Sequence, residues 1–559
     1  MSKRNIITGV IVALLLMSCC GGLCIMFIAH RDFETQSAGS HTQSSGLHQC
    51  NCYEFPMTDA ADIAVASRTT GRPQLPDSIV SAQGHFAVHY TTEGENAVAA
   101  VDSNNNLIPD RIDKIAEAFE RSYAVEIEQL EYPLPPSFKN GTVSYDIYVL
   151  DLNNSFGITV TEDVDSTAWE QTNVSSYILF DNDFLGQNFH IHGDGAIKST
   201  AAHEFFHAIQ LGYVFRKMDS FFFELTAVWM EDQVFDELDN YLYYMDYFFD
   251  NPDIPLNGVS FTVPKIFKHI YGSCIFGFYI EDRFGADAIH QIWELMPNYS
   301  ALTAANEIFQ AAGSNFENEF TKFSIWNYFT GHRARPAFYS QGENYPEIAL
   351  ENETSIDYFS EQQGQGYHLT AGYYLFHPRA EGEFTARMLT DSTHHWKLAG
   401  AVYDSSHLRT FSMSPGQTYD LGRIERDQKI LLIPCNIDRF TQPIHVYFKD
   451  NPELYTVYLY REAAPPANQP SFNIEKIYPN PFSAEVVFVI KKRHDSPVTI
   501  QIYNSLGQRI YRTTVNLTQE VNRISWSAVT GSHRAPAGVY FVKFNSANHQ
   551  QVEKLILCR

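Results

Sequence analysis

The spacing of hydrophobic and polar residues changes along the first 335 residues, and each change predicts a different element. Residues 85–90 alternate in polarity as a β-strand does, and residues 144–152 and 175–180 read as two further strands. Apolar residues three and four positions apart predict a helix over about 111–128, and residues 195–335 are mostly helical in pattern. This half of the chain is therefore expected to mix helices and strands.

The pattern becomes purely β in the second half. Short strands separated by Gly, Pro and Asp dominate from 365 to 462, which favours a β-sandwich. An Ala- and Pro-rich linker follows at 463–471, and three alternating runs mark strands in the last segment, 472–559. The fold class predicted is a multidomain α+β protein with two all-β units behind the mixed domain.

Six segments follow from these changes of pattern. They are a signal peptide or membrane anchor (1–29), a flexible lead or propeptide (30–80), a mixed domain (81–344), a β-sandwich (345–462), a linker (463–471) and a small all-β domain (472–559).

The N-terminus predicts export from the cell. Lys3 and Arg4 precede an apolar run over 6–29, the arrangement of a secretory signal. The run is also long enough for a membrane anchor, and residues 16–19 (Leu-Met-Ser-Cys) resemble a lipobox in which Cys19 would carry a lipid. We expect a protein that is secreted or held at the cell surface by a membrane or lipid anchor.

Composition narrows the partners. The 559 residues carry 39 Lys and Arg against 65 Asp and Glu, a net charge of −26, whereas nucleic-acid binding needs a basic face. Hydrophobic residues make up 44% of the chain, so that a disordered chain is excluded. We expect a monomer that binds no nucleic acid.

The strongest chemical motif is His203-Glu204-Phe205-Phe206-His207, an HExxH pattern within a proline-free stretch from 195 to 213. On a helix, residues four apart share a face, so that His203 and His207 can reach one zinc ion. Glu204 would stand beside that zinc, placed to take a proton from its water.

A catalytic zinc needs a third protein ligand. Glu224 and Glu231 lie seven positions apart, on one face of a second predicted helix. We favour Glu224 as the ligand, with Glu231 as the alternative ligand or as a residue that orients a histidine.

The two segments 203–210 and 224–232 resemble a family of secreted bacterial zinc metalloproteinases similar to the gluzincins, whose third ligand opens a Glu-x-x-Ala segment. The resemblance covers about residues 84–340 and implies a zincin-like fold for the mixed domain. It implies His203, His207 and Glu224 as zinc ligands and Glu204 as general base. One departure is Val228, where a thermolysin-type enzyme has Asp, so that another residue must orient the histidine.

Two further roles follow by analogy with that family. Residues 271–285 read as a helix similar to the one that carries an oxyanion-binding tyrosine, which makes Tyr271 the candidate and His269 the weaker alternative. Residues 175–180 are expected to be an edge strand that pairs with an extended peptide through Tyr177, Ile178 and Leu179.

The segment 102–113 places oxygen atoms at the spacing of a calcium loop. The expected ligands are Asp102, Asn104, Asn106, Ile108, Asp110 and Asp113, listed by loop position. Leu107 stands where such loops have Gly, and an Asp- and Asn-rich loop that caps a helix remains the alternative.

The segment from 472 to 559 resembles the Ig-like C-terminal sorting domain of type IX secretion substrates. The resemblance rests on Tyr478-Pro479-Asn480-Pro481-Phe482, the strand and turn from 498 to 509, and the strand 537–542. It implies that the secretion machinery is a partner of this protein.

These features together predict an exported zinc endopeptidase that hydrolyses a polypeptide with a zinc-bound water and Glu204. A cell-surface adhesin with an inactive or secondary zincin domain is the alternative. A zinc hydrolase that acts on a non-peptide substrate is a third reading.

Overall fold

A computed structural model of the chain describes most of it from residue 71 onward. The described residues are 71–139, 144–153, 155–162, 164, 170–185, 190–258, 264–390, 396–439, 452–461, 472–493, 497–530, 533–546 and 549–558. The predicted signal or anchor and the linker at 463–471 lie outside them. Within these ranges no helix combines the length and the apolar character needed to cross a membrane.

The mixed domain contains a five-stranded sheet with the order β1-β2-β3-β6-β4. Strands β2, β3 and β6 run parallel, while β1 and β4 pair antiparallel at the two edges. The strands described in the mixed domain are β1 (Asp77–Val80), β2 (Phe86–Tyr90), β3 (Tyr145–Leu150), β4 (Gly157–Thr161), β5 (Glu170–Gln171), β6 (Ser176–Asp181) and β7 (Phe215–Arg216).

Helices make up the rest of the mixed domain, as the pattern over 195–335 predicts. They are α1 (Asp110–Tyr123), α2 (Pro136–Lys139), α3 (Gly193–Tyr213), α4 (Ser220–Val234), α5 (Leu242–Phe249), α6 (Pro264–Gly272), α7 (Ile275–Phe284), α8 (Asp287–Leu295), α9 (Ala301–Ala311) and α10 (Phe316–Tyr328). A π-helical segment, Ala124–Gln129, continues α1.

Helix α3 is buried because its sequence is apolar on nearly every side. Every residue from 199 to 211 is buried, including both histidines of the HExxH motif. A helix that is hydrophobic all round belongs inside a protein. It packs against α1, α4 and strands β4 and β6, so that its few polar side chains must find partners within the protein.

In the described residues, ten strands form the middle β-sandwich. They are β8 (Asn352–Ile356), β9 (Phe359–Gly366), β10 (Thr370–Ala371), β11 (Tyr374–Pro378), β12 (Gly382–Thr390), β13 (Trp396–Tyr403), β14 (Leu408–Met413), β15 (Thr418–Ile424), β16 (Lys429–Asn436) and β17 (Glu453–Arg461). One sheet has six strands and the other has the order β15-β12-β17-β9, and their facing residues share one hydrophobic core.

The central strands β13 and β16 of the six-stranded sheet are buried on both faces. The second face of this sheet, which includes Ala401, Tyr403 and Leu431, belongs to the same hydrophobic core as the mixed domain. Helix α10 contacts β13 and β16, and the hydroxyl groups of Tyr328 and Tyr403 lie 2.5 Å apart. A strand that is buried on both faces reads as a continuous apolar run, as β16 does.

The C-terminal unit is a second, smaller sandwich with one core of its own. Sheets of order β18-β19-β22 and β21-β20-β25-β26 form its layers, beside the hairpin β23-β24. The strands are β18 (Phe472–Tyr478), β19 (Val486–Lys492), β20 (Pro497–Asn504), β21 (Arg509–Asn516), β22 (Val521–Trp526), β23 (Val529–Thr530), β24 (His533–Arg534), β25 (Gly538–Asn545) and β26 (Gln550–Leu557).

Two predicted boundaries differ from the structure. Strand β1 pairs with β2, so that the boundary expected at residue 80 falls inside the sheet. The helix expected over 271–285 is interrupted after Gly272, where the Ser273 hydroxyl donates to the Ile270 carbonyl. Such a local side-chain bond competes with helical hydrogen bonding, and the chain turns before α7 begins at Ile275.

Candidate metal centre

Helices α3 and α4 bring three of the predicted ligands together. The ligand atoms of His203, His207 and Glu224 all lie within 4.8 Å of one another, and all three side chains are buried. Glu224 Oε2 lies 3.4 Å from His203 Nε2 and 3.6 Å from His207 Nε2. In the described part of the chain, this is the one group of three or more His, Cys, Asp or Glu side chains close enough to share a metal.

Glu231 holds the other nitrogen of His203. Its Oε1 lies 2.8 Å from His203 Nδ1, and its Oε2 accepts a hydrogen bond of 2.7 Å from Asn240 Nδ2. A carboxylate only accepts, so that Nδ1 carries the proton and Nε2 keeps its lone pair for a metal. The structure therefore places Glu231 at the Nδ1 atom of the histidine and Glu224 near its Nε2 atom.

Gln210 performs the same task for His207. Its Nε2 donates to the Phe223 carbonyl and to the Thr226 hydroxyl, at 3.0 Å each, which fixes the orientation of the amide. Its Oε1 then faces His207 Nδ1 at 2.7 Å and accepts the proton there. Sequence reasoning missed Gln210, although its position three residues after His207 on one helix face was a usable signal.

Strand β4 positions Glu204. The Thr159 hydroxyl lies 2.7 Å from Glu204 Oε2 and 2.9 Å from the Glu204 carbonyl oxygen. A Cβ at Gly157 would lie 2.7 Å from both Glu204 Cγ and Thr200 Cγ2, closer than atoms can approach. Glycine at 157 therefore lets the strand approach α3, and neither Gly157 nor Thr159 carried a signal in the sequence.

The electrostatics of the group follow from its burial and its paired charges. Burial lowers the pKa of His203, but the carboxylates of Glu224 and Glu231 outweigh it and raise that pKa well above its usual value, so that a metal must displace the Nε2 proton to bind there. Burial raises the pKa of Glu224, but His207 and His203 lower it by more, so that the net pKa is about 2. Glu224 is therefore an anion throughout the neutral range, as a metal ligand must be.

Tyr271 lies beside this group. Its ring centroid is 6.0 Å from that of His203, and its side chain is 7% exposed. His269, the weaker alternative, is fully buried and stacks on Phe248, with ring centroids 5.0 Å apart. Tyr271 therefore lies next to the proposed ligand His203, whereas His269 packs in the core against Phe248.

The expectation that residues 175–180 form an edge strand is wrong. Strand β6 pairs with β3 on one side and β4 on the other, so that Tyr177, Ile178 and Leu179 have no free backbone edge for a peptide. The edge of this sheet nearest Glu204 is β4 instead. The prediction is wrong by one strand, because the sequence pattern did not predict β4.

The proposed calcium loop folds through its own hydrogen bonds. Asp102 accepts from the amides of Asn106 and Leu107, and Leu107 adopts a φ of 68°. Asp110 accepts from Ser103, which lowers the pKa of that carboxyl, and Asp113 accepts from the side-chain amides of Asn104 and Asn106.

The structure does not decide between calcium binding and helix capping for this loop. The carboxylates of Asp102, Asp110 and Asp113 do not form a three-member group in the described residues, and no side chain caps α1. Both readings of the loop, the one that binds calcium and the one that caps a helix, remain predictions.

Comparison with protein families matches two parts of the chain. Residues 476–558 match the secretion system C-terminal sorting domain, which confirms that the protein is secreted or held at the cell surface through the type IX machinery. Residues 78–328, which include the candidate metal centre, match a family of unknown function, DUF6055. No curated protein matches the chain.

Solved structures resemble only parts of the chain, with low scores. A β-glucuronidase from Parabacteroides merdae is 13% identical over 32% of this chain and 28% of its own, with a TM-score of 0.12. A mutant periplasmic inhibitor of g-type lysozyme from Escherichia coli is 10% identical over 19% of this chain and 96% of its own, with a TM-score of 0.13. Latent PorU from Porphyromonas gingivalis is 14% identical over 37% of this chain and 19% of its own, with a TM-score of 0.15. The chain thus spans less than a third of the β-glucuronidase, and the scores carry no argument about fold or function.

Proposed function

We propose that this secreted protein is a zinc-dependent endopeptidase with a zincin-like catalytic domain. The observation that carries the proposal is the convergence of His203, His207 and Glu224, from two adjacent helices, on one buried point. Two imidazoles and one carboxylate are the ligand set of a catalytic zinc with an open position.

The donor atoms fit such an ion. Zinc holds imidazole nitrogen and carboxylate oxygen at about 2.0–2.2 Å, so that ligands of a tetrahedral site lie about 3.3–3.5 Å from one another. The 3.4 and 3.6 Å separations from Glu224 are close to that spacing. His207 Nε2 and both Glu224 oxygens are buried without a hydrogen-bond partner, which an ion would satisfy.

When bound, zinc would supply a Lewis acid that polarises a carbonyl and makes water more acidic. Glu204 is held next to the ligand pair by its place on α3 and by Thr159. Its carboxylate can take the proton of an attacking water and then pass it to the leaving amine. Tyr271, beside His203, would donate its hydroxyl hydrogen to the oxyanion that forms on the attacked carbonyl.

The edge of β4 supports a polypeptide substrate. On its inner side β4 pairs with β6, and in the described part of the sheet its outer side pairs with no strand. An extended peptide can add to such an edge through main-chain hydrogen bonds. Thr159 lies on this strand and contacts Glu204, so that the added peptide would run beside the proposed general base.

A zinc and activity measurement tests the proposal. We expect one zinc per chain, hydrolysis of casein by the wild type, and loss of at least about 1,000-fold in kcat for Glu204→Gln with zinc content retained. Glu237→Gln is the matched control, because Glu237 is 60% exposed and pairs with Lys198 away from the site.

Two results would contradict the proposal. A wild type that binds no zinc would favour a surface protein with an inactive domain. A zinc protein that cleaves no peptide in a library screen would favour a hydrolase for another substrate class.

A further inference from the structure

A row of aromatic side chains extends from the metal centre to a partly exposed lysine. Tyr271 begins the row next to His203, and Tyr244 follows, with ring centroids 5.0 Å apart. Tyr243 comes next at 5.2 Å, and Tyr247 stands 6.0 Å beyond it. The row begins at His203, whose side chain is 9% exposed, whereas the side chains of the other two proposed ligands are at most 1% exposed.

A lysine stands at the far end of this aromatic row. Lys268 Nζ donates to the hydroxyls of Tyr243 and Tyr247, at 3.0 and 2.9 Å, and lies over both rings. Burial lowers the pKa of Lys268, but the two hydroxyls outweigh it, so that the net pKa is raised and the group stays cationic. An ammonium has three donors, and two are used.

Lys268 forms no ion pair with a carboxylate of the described residues. None of the ion pairs found in the described part of the chain includes Lys268, although its side chain is half-buried. Its neighbour His190 stacks on Tyr243 with centroids 3.7 Å apart, and burial lowers the pKa of that imidazole. A half-buried cation whose polar partners are neutral phenols is suited to an anion.

The far part of the row is partly exposed, and the two helices that carry it are closely packed. Tyr243, Tyr244 and Tyr247 of α5 are half-buried, and Lys268 of α6 is too. Helices α5 and α6 pack closely, because Gly272 lies against the Tyr244 carbonyl where a Cβ would approach to 2.4 Å. Each step along the row is 5–6 Å, so that Lys268 is within about six residues of extended chain from the metal centre.

We propose that this aromatic row is a substrate subsite in which Lys268 binds a peptide carboxylate while neighbouring side chains of the peptide lie along the tyrosine rings. The proposal rests on the peptidase function. It assigns the substrate class as polypeptides with an acidic group a few residues from the cleaved bond. The carboxylate can come from an Asp or Glu side chain or from the C-terminus of the peptide.

Binding to a full-length chain that does not turn over tests this subsite independently of catalysis. The zinc-loaded Glu204→Gln chain is titrated with fluorescein-labelled octapeptides of Ala and Phe, each with one Glu or Gln, and with a free or amidated C-terminus. Anisotropy gives the dissociation constants. We expect the peptides that carry the carboxylate bound by Lys268 to bind about tenfold tighter than the matching peptides with Gln or an amidated C-terminus in its place. The Gln and amide arms identify which carboxylate is bound.

Two variants identify the lysine as the cause. Adding Lys268→Met is expected to reduce the preference for the carboxylate to less than about twofold. Lys114→Met, which removes an exposed lysine paired with Asp194, should leave the preference intact. Equal binding of all four peptide types, or a preference that survives Lys268→Met, would overturn the subsite. A preference that depends on Lys268 in a chain whose wild type cleaves no peptide would overturn the peptidase function and leave the subsite standing.

Discussion

Glu231 Oε1 lies 2.8 Å from His203 Nδ1, on the side of the imidazole that faces away from Glu224. The two glutamates are seven residues apart on α4, and they contact opposite nitrogens of one histidine. Asn240 holds the second oxygen of Glu231, so that the orientation of the imidazole is fixed through two residues. Glu231 and Asn240 thus orient His203, the task for which the sequence offered no residue at Val228.

Glu231→Gln should therefore weaken zinc binding without removing a ligand. Loss of a carboxylate behind a metal-bound histidine costs about 10–100-fold in metal affinity. Competition with a chromogenic chelator measures the dissociation constant, and the exposed Glu237→Gln serves as control. An unchanged affinity in Glu231→Gln would show that His203 is oriented by something else.

Gly157→Ala should damage both stability and activity. The new Cβ would lie 2.7 Å from Glu204 Cγ, and α3 is too tightly packed to move away. Overpacking of this kind costs about 1–3 kcal/mol of unfolding free energy. We expect a lower melting temperature and a lower kcat on casein.

The control for this change is Gly538→Ala. A Cβ at Gly538 meets nothing within 4 Å, and that position has no positive φ. If Gly157→Ala had the same melting temperature and kcat as Gly538→Ala, strand β4 could not be as close to Glu204 as described.

Asp232 should make stability depend on pH around neutrality. Burial, with Asp236 and Glu281 nearby, raises its pKa from 3.8 to about 7, and its Oδ1 has no hydrogen-bond partner. Between about pH 4 and pH 7, Asp232 is protonated in the folded chain and ionised in the unfolded chain. The stability that this proton contributes is complete below about pH 4 and is lost as pH rises through 7.

Asp232→Asn removes that dependence because an amide does not ionise. From pH 5 to pH 8, the unfolding free energy of the wild type should fall by roughly 2–3 kcal/mol more than that of the variant. Urea unfolding followed by Trp fluorescence at both pH values measures this difference. Asp194→Asn, at an exposed ion pair, should shift by less than about 0.5 kcal/mol. Parallel pH profiles of Asp232→Asn and wild type would refute the raised pKa.

A chain that ends at residue 344 should not fold. Tyr328 and Phe329 pack against Tyr403 of the middle sandwich, and removal of the sandwich would expose that apolar face. Large exposed apolar patches lead to aggregation. We expect a chain of residues 71–461 to be soluble and monomeric in gel filtration, and the shorter chain to be insoluble. A soluble and zinc-binding chain of residues 71–344 would contradict the shared core.

The sequence carried the local part of this structure better than the long-range part. HExxH spacing, the Glu224–Glu231 pair and the strand pattern of the last domain are contained in contiguous residues, and each predicted element is found. The role of β4 was invisible because Gly157 and Thr159 act through a contact with α3, more than forty positions away. Asn240 and Lys268 were missed for the same reason, since their partners lie on other elements.

The core shared by the mixed domain and the middle sandwich also limits where the segment 78–328 could be joined to other sequences by recombination. The DUF6055 match ends at residue 328, the last residue of α10, but the outer face of that helix is covered by strands β13 and β16. A recombination point placed at the end of the family match would separate the helix from its cover. Any relative that shares only residues 78–328 must therefore supply another apolar surface for α10, from its own chain or from a partner.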